Sequence, residues 1–201
     1  MINASEAIKS AEERLADAKF GLADMQIPAR ARSGFRNAVV FGRMVTFMLQ
    51  NMRGHVPGFD PWYNEIVASL KADPMMKYFS DLRTEIEKTI KPHLGAAFSI
   101  NKFDTTQLQQ IPKPRGAKSF FMGDSNGGSG WLVELPDGSE EKYYIDLPGD
   151  WDVKAQLTLP GAPDSFNQDN AIDLVREYPE RLGEIVADAK IRFVDAVPPK
   201  A

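Results

Sequence analysis

The sequence predicts an α+β fold, an antiparallel helical bundle from both chain ends with an inserted antiparallel β-sheet segment. Three observations predict it. Apolar residues recur at three- and four-residue spacing up to about residue 90, the period drops to two between roughly residues 94 and 163, and helical spacing returns near the carboxyl end. An amphipathic helix must cover its apolar stripe, so the last helix is expected to return onto the first three. The expected boundaries are 1–93 and 166–201 for the bundle and 94–165 for the β insertion.

In the first helix Ala4, Ile8, Ala11, Leu15, Ala18, Leu22 and Met25 line one stripe. Pro28 interrupts it. From Ser33 the rhythm resumes through Phe35, Ala38, Phe41, Val45, Met48 and Met52, ending at Arg53 and Gly54. Asp60-Pro61 and Asp73-Pro74 each pair an N-cap acceptor with a proline suited to the first helical position, which predicts two further helices. The second of these carries Met75, Phe79, Leu82, Ile86 and Ile90 and should end before Pro92.

In the β region, "GWLVEL" and "VKAQLTLP" alternate apolar and polar residues, and Asp137-Gly138 favours a tight hairpin between "GWLVEL" and "EKYYIDL". The closing helix sets Ala171, Val175, Tyr178, Leu182, Ile185, Ala189 and Phe193 on one face, with Pro179 as a kink or restart. Methionines at 44, 48, 52, 75 and 76 read as core filling. Trp62 and Tyr63 read as bundle anchors, with stacking on a base as the alternative.

A formal charge of −4 argues against coating nucleic acid by bulk electrostatics, so any phosphate affinity must come from a local patch. The absence of cysteine removes disulfides, thiolate nucleophiles and thiolate metal sites. The charged, helix-patterned start is unlike a signal peptide, and no long apolar run occurs, which predicts a soluble cytoplasmic protein with no membrane contact. No metal and no cofactor are expected: the two histidines lack metal-ligand spacing, and Asp150 and Asp152 read as a turn and not as a cation site.

"GDSNGGSG" at 123–130 places Ser125 in a G-x-S-x-G pattern. A nucleophile elbow needs a helix after the serine and a histidine later in the chain. Here "WLVEL" follows and both histidines, His55 and His93, come earlier, so the segment reads as a hairpin loop.

Charge is more informative. From Met25 to Phe59 there is no acid and no lysine, only arginine at 30, 32, 36, 43 and 53. Arg36 and Arg43 are seven apart and Arg32 is four before Arg36, so a continuous helix puts them on one face. Such a row suits phosphate. The expectation given more weight is pairing with acids on the first helix, such as Glu12, Glu13 and Asp17, or with those on the last helix.

The segments "FRNAVVFGRMVTFMLQNM" and "DPMMKYFSDLRTEIEK", with a long return helix, resemble the HEPN superfamily of helical bundles. That resemblance implies a homodimer and, in many members, a metal-independent endoribonuclease with an arginine and a histidine five to seven residues later. Arg83 and Thr84 match the start of the motif, but Lys88, Thr89 and Ile90 stand where the histidine belongs and His93 is ten residues on. Without imidazole there, proton exchange near neutrality is lost. The expectation is an accessory, non-catalytic protein that binds RNA or a protein partner through its arginine-bearing helices, with Arg83 on phosphate, supported by Lys88, Arg36 and Arg43. Arg83 also has an ion pair open to it with Glu87, four residues on. Two alternatives are an endoribonuclease using Arg83 with His93 or Lys88, and an adaptor whose β insertion contacts another protein.

Overall fold

Asn3 caps the first helix: its side chain accepts from the Glu6 amide at 2.8 Å, and the Glu6 carboxylate accepts from the Asn3 amide at 3.3 Å. Two backbone donors with no intrahelical partner are thereby satisfied. Helix α1 spans Ala4–Asp24. The structure, a computed structural model, describes residues 3–89, 93–102, 105–108, 110–124, 128–149, 151–166 and 170–195. It is α+β, as the sequence predicts, and divides into two compact units, Met1–Leu94 with Leu159–Ala201 and Gly95–Thr158.

A short 3-10 turn at Pro28–Arg30 leads into α2, Ala31–Gln50. This helix begins two residues before the expected Ser33 and ends before Arg53. It packs against α1 and against two later helices, so its buried band is wider than one stripe. Val39, Gly42, Thr46 and Leu49 are buried beside Phe35, Ala38 and Val45, while Phe41 and Met48 are only half-buried. In α1 the buried side is Ala7, Ile8, Ala11, Ala18 and Gly21, and Leu15 and Leu22 lie half-buried at its margin.

Helix α3, Phe59–Ala72, corrects one expectation. Its N-cap is Gly58, at φ 78°, and not Asp60. The Asp60 carboxylate instead accepts from the Gly54 amide at 3.0 Å, closing the turn before the helix. Helix α4, Pro74–Lys88, starts as expected: Asp73 accepts from the amides of Met75 and Met76 at 2.9 and 3.2 Å, with Pro74 at the first position. Met75, Met76, Phe79 and Leu82 are buried. Ile90 lies outside the described residues.

In the β unit, β1 (Gly95–Lys102) pairs with the last strand, and a short helix α5 (Thr105–Leu108) follows it. Strands β2 (Ala117–Phe121), β3 (Ser129–Glu134) and β4 (Glu140–Ile145) form a second antiparallel sheet in that order. Strand β5 (Asp152–Thr158) completes the first. Gly138, at φ 83°, makes the expected β3–β4 turn, and Leu135 donates to Ser139 across it at 2.8 Å. Trp131 is buried edge-on to Phe120.

Helix α6, Ala171–Lys190, is capped by Asn170 and runs through Pro179 without a restart. It packs on α1, α2 and α4. Lys190 donates to Glu12 at 2.8 Å and the Trp62 indole donates to Asp188 at 2.7 Å, so α6 is tied by polar bonds to both α1 and α3. A π turn at Ile191–Asp195 lays Phe193 against Phe59 and Trp62. Trp62 and Tyr63 are thus buried anchors, which removes them as stacking surfaces.

Candidate nucleic-acid interface

The arginine-only stretch pairs with the first helix only through Arg30, and not through Glu12 or Asp17. Arg30 donates to Asp24 at the end of α1 and Arg53 donates to Asn64, while Asp17 is held by Arg14 and Glu12 by Lys190. The reason is helix geometry: Arg14 lies three residues before Asp17, within reach on the same helix surface. Arg32 and Arg36 are exposed and form no hydrogen bond or ion pair among the described residues.

Arg43 is different. Half-buried on α2, it donates to the Thr46 hydroxyl, and Thr46 donates in turn to the Arg43 carbonyl at 3.0 Å. Its guanidinium lies 4.4 Å from the centre of the Phe47 ring. From α4 the Arg83 guanidinium approaches the same ring at 5.9 Å. Phe47 is 36% exposed, so a partly solvent-exposed aromatic side chain lies beside two cations.

Arg83 forms the ion pair open to it in the sequence, Glu87 at 2.9 Å. Its Nε is buried with no hydrogen-bond partner among the described residues. Lys88, on the last turn of α4, is exposed and forms no ion pair among them. The four sequence candidates therefore separate: Arg43 and Arg83 meet at Phe47, whereas Arg36 and Lys88 are exposed cations away from that ring.

His93 has its side chain 10% exposed, with Nε2 at 3.2 Å from the Thr89 hydroxyl and Nδ1 at 3.8 Å from Glu85. These contacts link it to the end of α4. Ser125 and Asp150 lie outside the described residues, and Asp152 is described only as the first residue of β5. The segment around Ser125 joins two antiparallel strands, with Asp124 accepting from the Gly128 amide, Lys142 and Tyr144. A strand follows it, and an elbow requires a helix. Among the described residues no cluster of histidine and acidic side chains is placed to hold a metal ion, and no helix is long and apolar enough to cross a membrane.

Sequence reasoning missed Phe47, Thr46, Gln50 and Tyr178. Phe47 carried a signal, since it stands four residues after Arg43 on one helix. Thr46 gave none: a threonine inside an apolar helix is legible as buried only once its partners are known. Gln50 donates to the Tyr63 hydroxyl at 3.0 Å, which donates to the Thr46 carbonyl at 3.2 Å, so these residues form one polar chain beside Arg43.

Comparison with known proteins corrects the family resemblance. Residues 14–100 match the family described as Bacteriophage lambda protein ea47. Both segments that suggested the HEPN superfamily fall inside this match, and no HEPN family matches the chain. The similarity that misled is generic, because any bundle helix repeats apolar residues at these spacings. The match covers less than half of the chain. No curated protein and no solved structure shows significant similarity to it.

Proposed function

We propose that this chain is a non-catalytic RNA-binding protein of the cytoplasm that takes single-stranded RNA on the face shared by α2 and α4. The observation that carries the reading is the Phe47 ring flanked by the guanidinium groups of Arg43 and Arg83 at 4.4 and 5.9 Å. A base stacks on an exposed aromatic face whatever its identity, and forked guanidinium donors suit the phosphates on either side. Arg36 and Lys88, exposed and without ion pairs among the described residues, extend the grip along the strand. Local charge makes this compatible with an acidic protein, since α2 and its flanks carry arginine with no acid between Met25 and Phe59.

Assembly as a homodimer, which only the overturned resemblance suggested, forms no part of this proposal. Fluorescence anisotropy with mixed-sequence single-stranded RNA over a salt series tests it. The expected result is an affinity that falls with salt and is weakened by Arg83→Ala. Affinity that ignores salt, or an Arg83→Ala protein indistinguishable from the parent, overturns it.

A further inference from the structure

We propose that a cleft among α2, α3, α4 and α6 is a binding site for a small phosphate monoester of mononucleotide size. This goes beyond RNA binding at Phe47: the two sites share Arg43, but the cleft stands on its own shape and on Arg53, Lys71 and Tyr178. The cleft has a volume of about 570 Å³, within the range of small-molecule sites. Its walls bring together Arg43, Arg53, Lys71 and Lys77. Among the described lining residues Asp81 is the one acid, and it is taken by Lys77 at 2.6 Å. Lys71 forms no ion pair among the described residues, and Arg53 reaches Asp60 only at 3.9 Å. Four cations thus stand against two carboxylates, Asp81 and the more distant Asp60, which leaves an excess of positive charge. A phosphate monoester, with close to two negative charges and three acceptor oxygens, matches them.

Tyr178 supplies the second, independent sign. It is 2% exposed and lines the cleft. Burial disfavours its ionisation, outweighing the opposing charge of Arg43, so it is held as a neutral donor. Its ring is fixed by stacking on Phe79 at 4.8 Å and by contact with Gly42, where a Cβ would approach Tyr178 Cε1 to 2.4 Å. A neutral phenol hydroxyl beside a cationic group is a donor suited to an anion.

The rest of the wall is prearranged. Gln50 donates to Tyr63, Tyr63 to the Thr46 carbonyl, and Arg43 to the Thr46 hydroxyl, so the Arg43 fork is set before any ligand arrives. Val67, Leu70, Met76 and Leu182 line the same cleft and offer an apolar bed for a flat ring. Phosphate alone would leave that bed uncovered, and a nucleoside alone would leave the cations unmatched.

Isothermal titration calorimetry of the full chain with adenosine monophosphate, uridine monophosphate, inorganic phosphate, adenosine and decanoate tests the proposal. A one-to-one isotherm is expected with at least one nucleotide, about tenfold or more tighter than inorganic phosphate and absent with adenosine. Lys71→Glu, at an exposed side chain, should weaken it about tenfold or more, and Tyr178→Phe by roughly fivefold, the loss of one hydrogen bond. Circular dichroism confirms folding, and Lys71→Glu keeps the test decisive should Tyr178→Phe fail to fold. Arg83→Ala, outside the cleft, should leave nucleotide binding intact while lowering RNA affinity, so the two proposals fail separately. No isotherm with either nucleotide, tighter binding of decanoate, or an unchanged Lys71→Glu isotherm would overturn it.

Discussion

Gly21 and Gly34 face each other where α1 meets α2. A Cβ on Gly34 would come within 2.5 Å of the Gly21 carbonyl oxygen, and one on Gly21 within 2.7 Å of the Gly34 carbonyl oxygen. Backbone meets backbone here, so a neighbouring side chain cannot turn aside to make room. Ordinarily Gly→Ala inside a helix stabilises by about 1 kcal/mol. At Gly34 the sign should reverse, because overpacking costs about 1–3 kcal/mol or more. Urea denaturation of Gly34→Ala reads the difference, and a stabilised variant would show that the helices do not approach this closely.

Phe47 and Arg83 contribute to RNA binding in separable ways. Phe47→Ala should cost about 1–3 kcal/mol of affinity at every salt concentration, the worth of one stacked base. Arg83→Ala should reduce the slope of log affinity against log salt by about 0.7, the loss of one phosphate contact on a single strand. Parallel anisotropy titrations distinguish them. Equal changes of slope in both variants would mean that the ring is not a stacking surface.

Asp188 accepts from the Trp62 indole at 2.7 Å and from Arg192 Nε at 2.8 and 2.9 Å. The Arg192 hydrogen bond holds its carboxyl below the usual range, helped by Trp62 and opposed by partial burial. A depressed folded value means stability present above the unfolded carboxylate value and lost as pH falls through the folded one. Asp188→Asn keeps an acceptor for Trp62 but removes the charge. Melting temperatures measured below about pH 4 should fall less steeply in the variant. The loss at neutral pH should stay under about 1 kcal/mol, since the pair is largely open to solvent.

Tyr78 has a buried hydroxyl with no hydrogen-bond partner among the described residues, and burial, with a smaller contribution from Glu85, pushes its ionisation up to about 12. The folded state therefore holds this proton more firmly than the unfolded chain. Its contribution is fully present below pH 10 and disappears as pH rises toward 12. Tyr78→Phe should be neutral or stabilising by about 1 kcal/mol at pH 7. It should also blunt the loss of stability between pH 10 and 12. A spectrophotometric titration of tyrosinate in parent and variant identifies the late-ionising group directly.

What the sequence by itself determined is whatever depends on neighbours a few residues apart. The helical periods, the Asp73 cap, the Asp137-Gly138 turn, the Arg83–Glu87 pair and the spacing of Arg43 from Phe47 all follow from the pitch of a helix or the geometry of a turn. Asp60 shows the limit even there: two Asp-Pro pairs look alike, yet the tight turn ending at Gly58 let glycine cap one helix and drew the Asp60 carboxylate to Gly54 instead. Only the tertiary structure decided that Gly21 meets Gly34, that Arg83 crosses from α4 to the Phe47 ring, and that Tyr178 lines a cleft with Arg43, Arg53, Lys71 and Lys77. Those relations join residues far apart in the chain. They are set by which faces pack together, and periodicity marks an apolar face without naming the partner that will cover it.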